Sequence, residues 1–263
     1  MDLDIVEKVA LVCGSTSGLG LAIAKQLARE MCHVALNGRD GERLDAAVRD
    51  LNAVAMSRVR GFVADVSQAE EAENLVQSVH HQFGALDILI CNAGGPPSAE
   101  FGEVSLEQWK AAVDLNLLSS INLCRAAVPP MRERKWGRIV CLTSIAAKEP
   151  LPGLMLSTTA RAGVLGFAKA LADELAPDGI TVNAVCPGYM RTERVDDLVN
   201  ERARRERRKP SEVRAEMAGK IPIQRMGEPE ELAATVAFMV SARASYLTGV
   251  ALQVDGGYVR SIV

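Results

Sequence analysis

A chain of 263 residues is long enough to bury a sizeable core as one α/β domain. Its 30 basic and 33 acidic residues nearly cancel, so the charge balance draws it toward neither nucleic acid nor a membrane surface. Charges or prolines break every apolar run short of a membrane span, and the start Met1-Asp2-Leu3-Asp4 lacks the basic-then-apolar pattern of a signal peptide. The expectation is a cytoplasmic protein.

In chain order, Val9-Ala10-Leu11-Val12-Cys13 predicts a strand, and Leu21 to Ala28 a helix. Between them lies Gly14-Ser15-Thr16-Ser17-Gly18-Leu19-Gly20. Glycines let backbone approach a ligand closely, and a helix start offers unpaired N–H groups and a positive dipole end. Together they suit a diphosphate. The order G-x-x-x-G-x-G matches the commoner G-x-G-x-x-G fingerprint only in part. A glycine-rich turn without a ligand is the plainer alternative; the flanking strand and helix favour the phosphate site.

Next come a strand over His33–Asn37, Gly38-Arg39-Asp40, and a helix marked by Leu44, Ala47, Val48 and Leu51. A third strand runs from Val59 to Ala64 and ends at Asp65-Val66, and Leu75, Val76, Val79 and Phe83 mark another helix. Leu86 to Cys91 is a fourth strand, stopped at Asn92-Ala93-Gly94-Gly95-Pro96-Pro97. A long helix is expected from near Ser105 until Pro129-Pro130 stops it. Arg138 to Leu142 is a fifth strand, followed by a helix ending at Leu175 and a sixth strand over Ile180–Val185. This alternation predicts a parallel sheet covered on both faces. No repeat or linker interrupts it, so residues 1–263 read as one domain.

From Thr192 to Lys220 the chain is dense in both charges, before a helix expected over Glu228–Ser241. Mixed signs without interleaved aromatics favour a solvated helical excursion over a nucleic-acid patch. Emerging at strand C-terminal ends, it is placed to act as a lid. The six cysteines show no C-x-x-C pair, arguing against a disulfide framework or zinc. Cys13, Cys91, Cys141 and Cys186 fall near strand ends and read as small buried hydrophobes rather than a thiol cluster. No metal-ligand spacing occurs, and His33, His80 and His81 fall away from the crevice.

With Asn92-Ala93-Gly94, Asp65-Val66, Asn116 in Asp114-Leu115-Asn116, Ser144, Pro187-Gly188, Thr192 and Asp255-Gly256-Gly257, the chain resembles the short-chain dehydrogenase/reductase family. It looks most like the 3-oxoacyl-carrier-protein-reductase-like group. The resemblance spans essentially the whole length. It implies a Rossmann-type doubly wound sheet of about seven strands, a nicotinamide dinucleotide, and a homo-oligomer, either tetramer or dimer. On that pattern the loop from Gly14 through Ser15, Thr16, Ser17, Gly18 and Leu19 to Gly20 cradles the pyrophosphate. Asp65-Val66 meet the adenine, Asn92 to Gly94 support the adenosine ribose, and Pro187-Gly188 with Thr192 hold the nicotinamide end.

An acid after the second strand favours NAD, and an arginine there favours NADP. Here the strand ends Asn37-Gly38-Arg39, so NADP is expected, with NADPH preferred over NADH. The family's catalytic Tyr-x-x-x-Lys falls, counting from Ser144, on Ser157-Thr158-Thr159-Ala160-Arg161. A serine hydroxyl is far less acidic than a phenol, and arginine stays charged and relays no proton. Two residues are candidate substitutes: Lys148, four residues after Ser144, and Tyr189, beside Pro187-Gly188. A solvated lysine and an aromatic substrate wall are their plainer readings. Leu151, Leu154, Met155 and Leu156 suggest a partly apolar pocket, although core packing explains them equally well.

The leading expectation is an NADP-dependent oxidoreductase moving a hydride between the nicotinamide and a small carbonyl or alcohol through a non-standard proton relay. Its set would be Asn116, Ser144, Lys148, Ser157, Arg161 and Tyr189. Two alternatives remain open: a nucleotide-binding sensor or partner without turnover, and a lyase or epimerase reusing the cofactor site.

Overall fold

The computed structural model describes residues 1–262. The strands β1 (Val9–Val12), β2 (His33–Gly38), β3 (Val59–Val63), β4 (Ile88–Cys91), β5 (Gly137–Leu142), β6 (Ile180–Pro187) and β7 (Ala251–Val254) form one parallel sheet. Their order is β3-β2-β1-β4-β5-β6-β7. Among the described residues, nine α-helices connect or flank them: α1 (Gly18–Arg29), α2 (Gly41–Asn52), α3 (Ala69–Phe83), α4 (Leu106–Val113), α5 (Ser119–Glu133), α6 (Met155–Leu175), α7 (Glu193–Glu206), α8 (Pro210–Gly219) and α9 (Pro229–Met239).

The period-two alternation of each strand divides its apolar residues between two cores. Val9 and Leu11 of β1, Leu89 and Cys91 of β4 and Ile139 of β5 face α3, α5 and α6. Ala10, Val12, Ile88, Ile90 and Val140 face α1, α2 and α9. Both faces are therefore covered, as the uninterrupted apolar strands required. Strand order reverses between β1 and β4, which opens a crevice at their C-terminal ends. Among the described residues, no helix is long and apolar enough to cross a membrane.

Three details depart from the sequence expectation. The helical stretch after Ser105 does not stop at Pro129-Pro130; both prolines lie inside α5, which runs on to Glu133. They sit near its C-terminal end, and Val128 and Met131 bury themselves in the core there, which offsets the missing N–H groups. The same stretch is also not uniform, because a wide π-turn over Asp114–Leu118 separates α4 from α5. Such single turns recur at functional sites. Finally, the excursion after Thr192 is helical but not merely solvated. Val195, Val199, Ala203, Val213, Met217, Ile221 and Met226 form a third core of their own, with Tyr189 and Tyr258 packed against it.

Charge on the outside locks this excursion together. Glu216 of α8 receives Arg202 at 2.7 Å and Arg208 at 2.6 Å, both from the end of α7 and its turn, as well as Lys220 at 3.0 Å. All six cysteines are buried and free, and burial pushes the Cys13 thiol up to about 12. Cys13, Cys91, Cys141 and Cys186 are buried as their placement suggested, but thiols do meet: the sulfurs of Cys91 and Cys124 lie 4.0 Å apart.

Candidate active site

The glycine turn lies where β1 hands over to α1. A Cβ on Gly20 would stand 2.2 Å from the Gly14 carbonyl oxygen, so only glycine lets the turn close onto the helix start. Ser17 caps α1 by backbone alone; its side chain accepts no bond from the helix. The first-turn N–H groups are thus not covered by a side chain. Asn92, at the end of β4, donates from Nδ2 to the carbonyls of Cys13 at 3.0 Å and Gly14 at 3.1 Å. That strut ties the turn to the neighbouring strand end.

Two residues expected at the ligand prove to be structural pins. Ser15 is fully buried, donating to the Val12 carbonyl at 2.7 Å and accepting from the Asn37 N–H at 2.9 Å. Asn37 in turn donates to the Phe62 and Ala64 carbonyls, binding β2 to β3. Neither lines the cavity, and Thr16 does not either: its methyl packs where a Cβ on Gly38 would go, 2.4 Å away.

A cavity of about 530 Å³ opens above the turn. Gly14, Ser17, Gly18, Leu19 and Gly20 form its floor, and Asn92, Ala93 and Gly94 one side. Ser144, at the end of β5, lies on another wall together with Ser157 and Arg161, which stand one turn apart on α6. Arg161 donates from Nη1 to the carbonyl of Thr143, the residue before Ser144, while its Nε is buried with no partner. Burial, and after it the charge of Arg194, pulls the Arg161 guanidinium down to about 10, so it is cationic at neutral pH. The Ser144 hydroxyl accepts from the Ala146 N–H at 3.1 Å.

Asn116 does not reach the cavity surface. The π-turn places it behind Gly94, whose carbonyl receives its Nδ2 at 2.9 Å, and leaves its Oδ1 buried without a partner. It is a positioning residue for the Gly94 side.

At the outer end Arg39 lines the cavity and stands 3.8 Å from Asp65, mostly exposed. Asp65 itself does not line the cavity; it accepts from the N–H and hydroxyl of Ser67. Val66 is buried in the sheet core, and neither residue of this pair, expected at an adenine, borders the enclosed space. Arg43, in the first turn of α2, also lines the cavity and binds Glu193 of α7.

At the inner end stand Pro187, Gly188 and Thr192. Thr192 caps α7 by accepting from the Val195 N–H, and its methyl lies beside Gly18, bringing the excursion over the glycine turn. Tyr189 lines the cavity with its ring edge-on to Tyr258 at 5.4 Å. Burial, then Tyr258, pushes the Tyr189 phenol well above its ordinary value. Lys148 does not line the cavity; its charge lies near Cys186. Leu151 and Leu154 do line it, whereas Met155 is exposed and Leu156 belongs to the core.

Sequence reasoning missed Arg194, which crosses from α7 to the opposite wall and donates from Nη2 to the Pro96 carbonyl at 2.5 Å. Its only signal was its place two residues after Thr192, inside a run dominated by solvated charge.

A glycine turn at the switch point of an open parallel sheet, under a cavity lined by hydroxyls and guanidinium groups, defines an α/β protein of the dinucleotide-binding class. The pattern of the enoyl-(acyl carrier protein) reductase family matches residues 14–259. The chain is 37% identical over 254 residues to human dehydrogenase/reductase SDR family member 4, covering 96% of this chain and 88% of that one. It is 35% identical over 251 residues to the 3-oxoacyl-[acyl-carrier-protein] reductase FabG of Staphylococcus aureus, covering 95% and 97%. The structure of L-sorbose reductase from Gluconobacter frateurii, complexed with NADPH and L-sorbose, superposes with a TM-score of 0.95 at 35% identity over 100% of both chains. An actinorhodin polyketide ketoreductase with NADPH gives 0.92 at 34% identity over 96% and 97%. The chain belongs to the short-chain dehydrogenase/reductase family.

Proposed function

We propose that this protein is an NADPH-dependent reductase of a small carbonyl compound, working without the family's tyrosine. The observation that carries the reading is the convergence of Ser144, Ser157 and Arg161 on one wall of the cavity above the glycine turn. NADPH in its related structures supports the coenzyme assignment. The residues fit that coenzyme: a turn that a Cβ on Gly20 would fill, a helix start without a side-chain cap, and two arginines at the outer end. The buried, partnerless Nε of Arg161, on the cavity wall, calls for a polar partner nearby, which ribose hydroxyls would supply. When bound, the coenzyme supplies the hydride.

The chain's own task is to hold the substrate oxygen and stabilise the charge that develops on it. Ser144 and Ser157 provide hydroxyl donors, and Arg161 a positive field in a partly dry wall. Ser157 stands where the family carries tyrosine and Arg161 where it carries lysine; neither is a strong proton source. Of the substitutes, Tyr189 is on the cavity surface but its raised pKa makes it reluctant to give up a proton. Lys148 reaches the site only by turning inward or through water.

The assay is loss of dihydronicotinamide absorbance across a panel of ketones and aldehydes, beside direct NADPH titration. Saturable NADPH binding with oxidation by at least one carbonyl is expected. Tight binding with no turnover in either direction would move the assignment to a nucleotide-binding protein without dehydrogenase activity, a reading favoured by serine at position 157.

A further inference from the structure

The cavity holds more positive charge than its own acids answer. Arg39, Arg43, Arg161 and Arg194 line it, against Glu193 and Asp197. Glu193 is engaged by Arg43 at 3.0 Å, and Arg39 faces Asp65 across the rim. Among the described residues, neither Arg161 nor Arg194 has an acid within ion-pair distance. Asp197, one turn beyond Arg194 on α7, makes no ion pair with either. Both guanidiniums are anchored by neutral main-chain carbonyls, Arg161 on Thr143 and Arg194 on Pro96. The Arg194 Nε lies 3.0 Å from where a Cβ on Gly95 would be, so glycine there makes room for the guanidinium to lie flat against the loop after β4. Two like charges facing one partly buried space repel each other unless an anion comes between them.

We propose that Arg194, with Arg161 behind it, recognises a carboxylate on the substrate, so that the protein reduces oxo acids in preference to neutral ketones. This rests on the coenzyme reading above, which already places the coenzyme's negative charges elsewhere. The diphosphate belongs to the glycine turn and the start of α1, and a 2′-phosphate to Arg39 and Arg43 at the outer end. The Ser144 end, where the carbonyl must lie, then has two cations, neither ion-paired with an acid among the described residues. Arginine's planar fork pairs with a carboxylate through two parallel bonds; the Pro96 carbonyl takes one Nη2 hydrogen of Arg194, and the other Nη2 hydrogen, with Nε or Nη1 beside it, offers such a fork. A carboxylate held there fixes the adjoining carbonyl near Ser144 and Ser157. Arg194 is thus a specificity-determining residue.

Pyruvate, acetoacetate and levulinate are each compared with their methyl esters at saturating NADPH, in the wild type, Arg194→Met and Arg194→Lys. The acids are also titrated calorimetrically into the NADPH-loaded wild type and the methionine variant, a readout that needs no turnover. For at least one acid the wild type should prefer the acid over its ester. Arg194→Met should cut that acid-to-ester ratio roughly ten- to a hundredfold, with part restored by lysine. The calorimetric signal should disappear in the methionine variant. Equal use of acids and esters by the wild type, or no acid binding, overturns the proposal. So does a methionine variant in which NADPH affinity falls and acid and ester suffer alike, because Arg194 then grips the coenzyme's diphosphate. Failure of NADPH itself to bind the wild type sinks the coenzyme reading instead, and titration of the acids into free protein decides this one.

Discussion

The guanidinium of Arg43 and the carboxylate of Glu193 meet at 3.0 Å, although 150 residues separate them. One stands in the first turn of α2, beside the outer end of the cavity; the other begins α7. The pair therefore ties the helical excursion to the start of α2 across the cavity mouth. Both side chains are more than half exposed, so the tie contributes little to stability. Its effect is on what Arg43 is free to bind. In the NADPH reading, Glu193 competes with a 2′-phosphate for Arg43. Glu193→Gln should tighten NADPH binding about two- to fivefold, and Arg43→Ala should weaken it about tenfold, with NADH binding little changed. Fluorescence titration of both coenzymes checks this; identical shifts for NADPH and NADH would exclude any 2′-phosphate role.

In the NADPH reading, turning the coenzyme choice toward NADH requires treating Gly38 and Thr16 together. A Cβ on Gly38 would fall 2.4 Å from the Thr16 methyl. Gly38→Asp alone should therefore lose about 1–3 kcal/mol to overpacking and bind neither coenzyme well. Gly38→Asp with Thr16→Ala and Arg39→Ala should fold normally and favour NADH. Thermal melts and paired titrations separate strain from specificity.

Installing the family pair at the positions the resemblance assigns tests the proposed relay. Ser157→Tyr with Arg161→Lys puts a phenol and an ammonium on the cavity wall one turn apart, where about 530 Å³ of open space is at hand. The reductase rate should rise by roughly 10²–10⁴, the usual contribution of a positioned acid. An unchanged rate, coupled with loss of activity in Lys148→Ala, would show that Lys148 already carries the proton.

Stability at low pH should follow Glu231. Arg225 grips its carboxylate at 2.6 and 2.7 Å and the Glu228 N–H adds a third bond. These hold the carboxyl down to about 2. A group lowered on folding stabilises the native state above its unfolded pKa, near that of a free glutamate, and loses that contribution as pH falls toward the folded value. The melting temperatures of wild type and Glu231→Gln should differ most above about pH 5 and converge between there and about pH 2. A constant gap at all pH values would mean that packing, not ionisation, is responsible.

Much of this was legible from local pattern. Val9 to Cys13 ending in glycines, then an apolar helix, specifies a strand, a tight turn and a helix start, because only glycine fits the approach of Gly20 to Gly14. The buried apolar strands announced a doubly covered sheet. What misled was sequence proximity to a motif. Ser15 and Asn37 sit among ligand-facing residues, yet strand pleat and turn geometry aim them into the protein, where they pin β1 to β2 and β2 to β3. The prolines of α5 and the inner core of the α7–α8 excursion were invisible for a related reason: burial of Met131 and of Val199 is decided by what packs on them.

Sequence alone determined the architecture and the glycine turn, since each depends on short-range spacing and residue chemistry. Only the tertiary structure decided which charges meet in the cavity. Arg43 with Glu193, and Arg194 with the Pro96 carbonyl, join segments about a hundred residues or more apart. An ion pair or an unanswered cation is a matter of distances in space, and those exist only once the sheet has brought its strand ends together.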